Sequence, residues 1–134
     1  MKVRDLMSTE VFSVGRNDKV SAADELMEAH RIRHLPVLGE DNELAGILSR
    51  RDVFRTAMKR TFGYGESAQD RLLGMLTVKE VMTNEVETIA PDSPIQEAAR
   101  RMLDRKISAL VVVDGERLVG MLTDSDFVRH VAGA

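Results

Sequence analysis

The stretch GILSRRD at residues 46–52 has a second version in the same chain, GMLTDSD at residues 120–126. Both write glycine, two apolar residues, a hydroxyl, two variable residues and an aspartate. Ser49-x-x-Asp52 and Thr123-x-x-Asp126 fit a helix capping box, in which a hydroxyl and a carboxylate take up N–H groups that the first helical turn leaves unpaired. Taken alone, each reads as a cap rather than a binding site. What decides its meaning is how much else repeats.

Working outward, VRDLMSTEVFSV from Val3 aligns with VKEVMTNEVETI from Val78. At the same offset Val20, Ala23 and Met27 fall on Ile95, Ala98 and Met102, and Ile32 and Leu35 fall on Ile107 and Leu110. GEDNE in the first copy shortens to DGER in the second, after which Gly46, Ser49 and Asp52 land on Gly120, Thr123 and Asp126. Two copies of one unit are present. Each predicts a short helical turn, a strand (near 11–14 and 86–89), a helix (18–30 and 93–105), two strands and a final helix, an α/β (α+β) fold. Val20, Ala23 and Met27 share one helical face. In SPIQ, Ser93 is placed to cap the second copy's helix, Pro94 to occupy its first position and Gln96 to complete a capping box. HLPVL with ELAGILS, and ALVVVD with RLVGMLT, read as hairpins across glycine- and aspartate-containing turns. Pro36 has no N–H and so predicts an edge strand or a strand start, a limit that Val111 removes from the second copy.

A unit of about sixty residues buries only about 60% of its unfolded surface and is marginal alone. The copies are therefore expected to pack together as a pair, with a cleft where they meet. The organisation expected is a first repeat over 1–60, a linker over 61–77 and a second repeat over 78–134. The stretch MKRTFGYGESAQDRLLGMLT, residues 58–77, is too long for a structureless loop. Gly63 and Gly65 break the preceding helix, and ESAQDRLLGML predicts another with Leu72, Leu73, Met75 and Leu76 as its apolar part. Phe62 and Tyr64 sit beside it. This helix reads first as a cover for the domain's own core; exposed apolar surface there would instead argue for a subunit contact.

Composition narrows the function. The 134 residues are 43% hydrophobic and 31% charged, the balance of an ordinary globular protein. MKVRDLMSTE interrupts any apolar secretory stretch and no segment approaches a membrane span, so a cytoplasmic protein without membrane association is expected. A net charge of −3 with one Tyr, four Phe and no Trp argues against nucleic-acid binding. There is no cysteine, and His30, His34 and His130 neither pair at helical spacing nor cluster with carboxylates, so no metal site is expected. No nucleophile–base pairing or P-loop stands out, and no catalytic residue is assigned.

The order strand, helix, strand, hairpin, helix, twice over, with VRDLMS and VKEVMT at the two starts and GILSRRD and GMLTDSD at the two ends, closely resembles a tandem of cystathionine-beta-synthase (CBS) domains, the pair called a Bateman module. The resemblance covers almost the whole chain. It implies two β-α-β-β-α repeats related by a pseudo-two-fold axis, and a non-enzymatic regulatory module binding AMP, ADP, ATP or S-adenosylmethionine in the cleft between them, with Mg²⁺ an open question for ATP. The aspartate of each end motif would hold the ribose hydroxyls and the Ser or Thr would contact ribose or phosphate, roles that fall on Asp52 and Ser49 and on Asp126 and Thr123. The adenine would lie along Ile32, Arg33, His34, Leu35 and Pro36, and along Ile107, Ser108, Ala109, Leu110 and Val111. Val11 and Ser13, or Val86 and Thr88, would close the same pockets. Val111 departs from the proline common in the family at that position.

The chemistry of the residues agrees with this. A carboxylate accepts from two vicinal hydroxyls, and a helix N-terminus offers N–H groups to a phosphate. Capping and ligand binding are compatible uses of one motif. HRIRH (residues 30–34) with Arg50, Arg51 and Arg55 offers the first copy a phosphate clamp, though Arg51 and Arg55 read first as a solvated helix face. The second copy offers Lys106, Asp124 and Arg129. With no catalytic, channel or DNA-binding segment recognisable, the output is expected to reach a separate effector protein, and the resemblance implies a homodimer. The alternative, from another class, is a structural dimerisation module without ligand; an enzyme comes third.

Overall fold

The computed structural model describes all 134 residues. The chain forms two compact units, and these do not coincide with the sequence repeats: one is Phe12–Glu85, the other combines Met1–Val11 with Val86–Ala134. The first unit holds β1 (Val14–Gly15), α2 (Val20–His30), β2 (His34–Leu38), β3 (Leu44–Ser49), α3 (Arg50–Thr61), α4 (Glu66–Met75) and a 3-10 turn at Val78–Glu80. The second holds α1 (Val3–Leu6), β4 (Thr88–Ile89), α5 (Ile95–Arg105), β5 (Ala109–Asp114), β6 (Arg117–Thr123) and α6 (Asp124–Ala132). Each has a three-stranded sheet, in the orders β1-β2-β3 and β4-β5-β6, with a parallel first pair and an antiparallel second pair.

The helical faces read from the sequence are the buried ones. Val20, Ala23 and Met27 of α2 pack with Val14, Leu35, Val37, Leu48, Val53 and Val78 in the first unit's core. Ala98 and Met102 of α5 pack with Val3, Ile89, Leu110, Val112 and Leu122 in the second's. Both helices end on a residue in the left-handed region, Arg31 and Lys106, each at φ 54°.

Each repeat's opening segment docks on the other repeat. Val3 N–H donates to the Ser93 carbonyl (2.8 Å), Arg4 N–H to Pro91 (2.9 Å) and Ile95 N–H to Met1 (3.2 Å), so that Met1–Arg4 covers the start of α5. In the first unit the equivalent set is Val78 to Asp18 (2.8 Å), Lys79 to Arg16 (2.9 Å) and Val20 to Leu76 (2.9 Å), at the start of α2. This corrects the expected cap of α5. Pro94 is the N-cap residue rather than the first helical one, and no side chain caps there, because the backbone of the N-terminal segment accepts the Ile95 N–H.

Further along, the same opening segments add a rung to each sheet edge. Ser8 exchanges two backbone hydrogen bonds with Met121 (2.9 and 3.0 Å), and Thr83 exchanges two with Ile47 (2.9 and 3.0 Å). The glycine of each end motif makes room for them. A Cβ on Gly46 would lie 2.7 Å from both Met82 Sδ and the Thr83 carbonyl; one on Gly120 would lie 2.6 Å from Met7 Sδ and 2.9 Å from the Ser8 carbonyl. LMS and VMT at the starts are thus the packing partners of GMLT and GILS at the ends, each pair drawn from different repeats.

Pro36 is the second correction. It lies inside β2, the central strand of its sheet, rather than on an edge or at a strand start. Two local facts make the missing N–H harmless. Facing β3, Pro36 sits opposite Ile47, whose backbone bonds go outward to Thr83. Facing β1, pairing begins only at Val14 with Val37. In the second unit Val111 does have the N–H and donates it to the Glu87 carbonyl (3.1 Å), so β4 begins one place earlier, at Thr88 opposite Val111.

Between α3 and α4, Gly63 and Gly65 adopt φ of 85° and 86°, which the chain uses to turn between the helices. Leu72 and Leu73 of α4 pack on the first unit's core and Leu76 is buried in it, so this side of the helix does cover its own unit. Met75, Phe62 and Tyr64 face solvent.

Candidate functional site

In the first unit the residues singled out in the sequence gather where the β2–β3 hairpin opens onto α3. His34 pairs with Ser49 across the strands, Leu35 with Leu48 and Pro36 with Ile47. Arg50 N–H, the first of α3, donates to the Arg33 carbonyl (2.9 Å), fixing the chain before β2 against the helix start. The Ser49 hydroxyl accepts from the Asp52 N–H (3.0 Å). Ser13 lies just before β1 in the same unit, half-buried, whereas Val11 is the last residue of the other unit's opening segment.

The second unit repeats the arrangement. Ala109 pairs with Thr123, Leu110 with Leu122 and Val111 with Met121, and Asp124 N–H donates to the Ser108 carbonyl (3.0 Å). Thr88 stands beside Val111, and Val86 precedes it.

Alternation along the strands sorts these residues into two faces. Leu35 and Leu110 belong to the cores, so their side chains are committed to packing and they offer a ligand only backbone. Ile32 and Ile107 likewise pack against the cores from their edges. His34, Pro36, Ile47 and Ser49 share the opposite face, as do Ala109, Val111, Met121 and Thr123. Ile47 and Met121 were absent from the sequence expectation. Their signal was available: each lies two residues before the motif hydroxyl, hence on its side of the strand.

The two caps differ. In the first unit the hydroxyl is the capping group, Ser49 accepting from Asp52 N–H. In the second it is the carboxylate: Asp126 Oδ2 accepts from Thr123 N–H (2.8 Å) and from the Thr123 hydroxyl (3.4 Å). Asp126 Oδ1 also accepts from the Arg129 guanidinium. Asp126 is 8% exposed while Asp52 is half-buried.

The basic residues proposed for a phosphate have separate fates. Arg33, Arg50, Arg51 and Arg55 are exposed. His30 stacks on Phe12, with ring centroids 3.8 Å apart, and so serves the packing of α2. At the matching places of the second repeat, Glu87 and Arg105 make an ion pair (3.4 Å), the same contact in a different chemistry. Lys106 supplies the left-handed turn after α5. No three His, Cys, Asp or Glu side chains gather as metal ligands, and no helix is long and apolar enough to cross a membrane.

The carboxyl groups displaced from their ordinary range lie at the docked opening segments. The Arg4 hydrogen bond holds Asp92 below the usual carboxylate value, with Lys2 adding to it. The Thr77 backbone N–H does the same for Glu80.

With this geometry in place, similarity to known proteins becomes specific. The family model of the CBS domain matches residues 3–59 and 78–133. A CBS domain-containing protein of Dictyostelium discoideum is 35% identical over 129 residues, covering 94% of this chain and 88% of that one. A homoserine O-acetyltransferase of Methanohalobium evestigatum is 30% identical over 130 residues, 96% of this chain, but the chain spans only 24% of that enzyme's length. Among solved structures, the CBS domain pair of protein MJ0100 in complex with 5′-methylthioadenosine and S-adenosyl-L-methionine superposes with a TM-score of 0.84 at 28% identity, covering 99% of this chain and 97% of that one.

Proposed function

Because the chain belongs to the CBS domain family, as two matched repeats, we propose that it is a regulatory module that binds an adenosine-containing ligand, AMP, ADP, ATP or S-adenosylmethionine, and passes the bound state to a separate effector protein. The observation that carries this is the doubled convergence at the hairpin mouths: a hydroxyl, a carboxylate and a helix start, beside a buried Pro36 or Val111 on the same strand face. A carboxylate suits two ribose hydroxyls, a flat apolar strand face suits adenine, and helix N–H groups suit a phosphate. The MJ0100 pair, which holds two adenosine derivatives, supports the ligand class. In this role Asp52 and Asp126 contact the ribose and Ser49 and Thr123 the ribose or phosphate, while residues 32–36 and 107–111 contribute backbone and one strand face to the base. On this reading Ser13 would help close the first repeat's pocket, and Val86 and Thr88 the second's. The module acts without catalysis, in the cytoplasm.

A ligand drives such a switch only as far as it binds two states differently. Calorimetric titration of the nucleotide-stripped protein with each candidate, with and without Mg²⁺, tests the reading. Saturable binding supports it; no binding by any of the four contradicts it.

A homodimer accompanies this reading, and the second reading, a purely structural dimerisation module, rests on the same exposed apolar side chains. Phe54 and Met58 lie one turn apart on α3 and are exposed together with Phe62, Tyr64 and Met75; Val128, at the repeat position of Phe54, is exposed on α6. A concentration-independent monomer in sedimentation equilibrium would contradict both forms of the dimer.

A further inference from the structure

We propose that Arg129 is a latch on the carboxylate of Asp126, and that it makes the second repeat's site the weaker of the two for the adenosine ligand. The inference rests on the reading of Asp52 and Asp126 as ribose-binding groups and adds an order of filling that the repeat alone does not predict.

The observation is an asymmetry between matched residues. Asp126 is nearly buried and both of its oxygens are in use, Oδ2 by the backbone and hydroxyl of Thr123 and Oδ1 by Arg129 one turn along α6. A carboxylate accepts at about four lone-pair positions, so vicinal hydroxyls must share or displace these donors. Arg129 is the donor that can leave, because its side chain is 59% exposed and tethered only by its own stem. Thr123 cannot, because its N–H is part of the cap. In the first repeat the cap duty falls to the Ser49 hydroxyl, and Arg55, at the place of Arg129, is exposed and makes no ion pair with Asp52. Asp52 therefore meets a ribose without first giving up a guanidinium.

The consequence is sequential occupancy: the Asp52 site fills at lower ligand concentration, and the Asp126 site fills when Arg129 swings out to solvent. An exposed arginine–carboxylate pair contributes up to about 1 kcal/mol, so releasing it should tighten the second site by roughly fivefold.

The test titrates adenosine and AMP into the wild type, Asp52→Ala, and Asp52→Ala combined with Arg129→Gln, with circular dichroism confirming the fold of each. Adenosine has no phosphate for Arg129 to hold, so its affinity reports the latch alone. The expected result is that the double variant binds adenosine about fivefold more tightly than Asp52→Ala. Equal or weaker adenosine binding overturns the latch. So does a loss confined to AMP, which would make Arg129 a phosphate contact. A merely structural role, which also overturns the latch, would lower the unfolding temperature of the double variant below that of Asp52→Ala without raising affinity. If the wild type binds neither compound while remaining folded, the ligand reading itself falls; if the wild type binds and only the Arg129 comparison fails, the ligand reading stands without the latch.

Discussion

Gly46→Ala tests the exchange of opening segments where a Cβ would come nearest to the docked backbone. The added methyl would meet Met82 Sδ and the Thr83 carbonyl at 2.7 Å each, well inside van der Waals contact. Met82 can change rotamer, but the Thr83 oxygen is backbone and sits within a pair of hydrogen bonds to Ile47 at 2.9 and 3.0 Å. Relief therefore requires the Met82–Thr83 segment to move off β3. Two backbone hydrogen bonds contribute about 0.5–1.5 kcal/mol each, and an overpacked site costs about 1–3 kcal/mol. The expected loss is about 2–3 kcal/mol, read as a lower urea midpoint at unchanged slope. Hydrogen exchange should accelerate at the Thr83 and Ile47 amides in particular. Adding Met82→Ala should not restore stability, because the carbonyl remains in the way. A loss below about 0.5 kcal/mol, within the range of neutral surface changes, would refute the reasoning.

Other substitutions follow from the same physical account. Gly74→Ala, inside α4 with open space around its Cα, should stabilise by about 0.5–1 kcal/mol in the same urea assay, opposite in sign to Gly46→Ala. Arg31→Gly should stabilise by up to about 1 kcal/mol, because residue 31 ends α2 at a φ of 54° that costs an L-residue but not glycine; thermal unfolding reads it. Asp92 and Glu80 both have their carboxyl groups lowered on folding, from ordinary values of 3.8 and 4.5. Each contributes stability above its unfolded value and loses it as pH falls through the lower folded one. Wild type should therefore lose stability more steeply than Asp92→Asn or Glu80→Gln on acidification below 4.5, the gap closing once the carboxyls are protonated; melts across an acid series measure it.

What the sequence made legible was whatever depends on local periodicity. The buried faces of α2 and α5, the two hairpins and the linker helix follow from apolar spacing, and the repeat fixes that the two copies share one order of strands and helices. What it hid depends on partners distant along the chain. Met7 and Met82 read as parts of their own repeats because nothing in a local window says whose sheet they join. The recurring glycine at 46 and 120 carried the clue, since a twice-written glycine implies a close approach, but not the identity of the approaching segment. The same ignorance misplaced Pro36: its missing N–H matters only if a neighbour wants it, and Ile47 bonds to Thr83 instead while β1 begins only opposite Val37. Ser93 and Pro94 look like a cap in isolation, yet the chain's own N-terminal backbone does that work. Within the candidate site, Ser49, Asp52, Thr123 and Asp126 were legible as a repeated motif, whereas the division of labour between hydroxyl and carboxylate was not. That division depends on side-chain geometry and on Arg129, a residue outside the motif.

The most direct test of the central claim compares the wild type with Asp52→Ala/Asp126→Ala by calorimetry against the adenosine ligand that the wild type binds best. Hydrogen bonds to a charged group contribute about 1.5–3 kcal/mol, so each site should weaken by roughly tenfold to a hundredfold in the folded double variant. Wild-type affinity retained by that variant would show that the two aspartates serve only the helix starts, and would contradict the account.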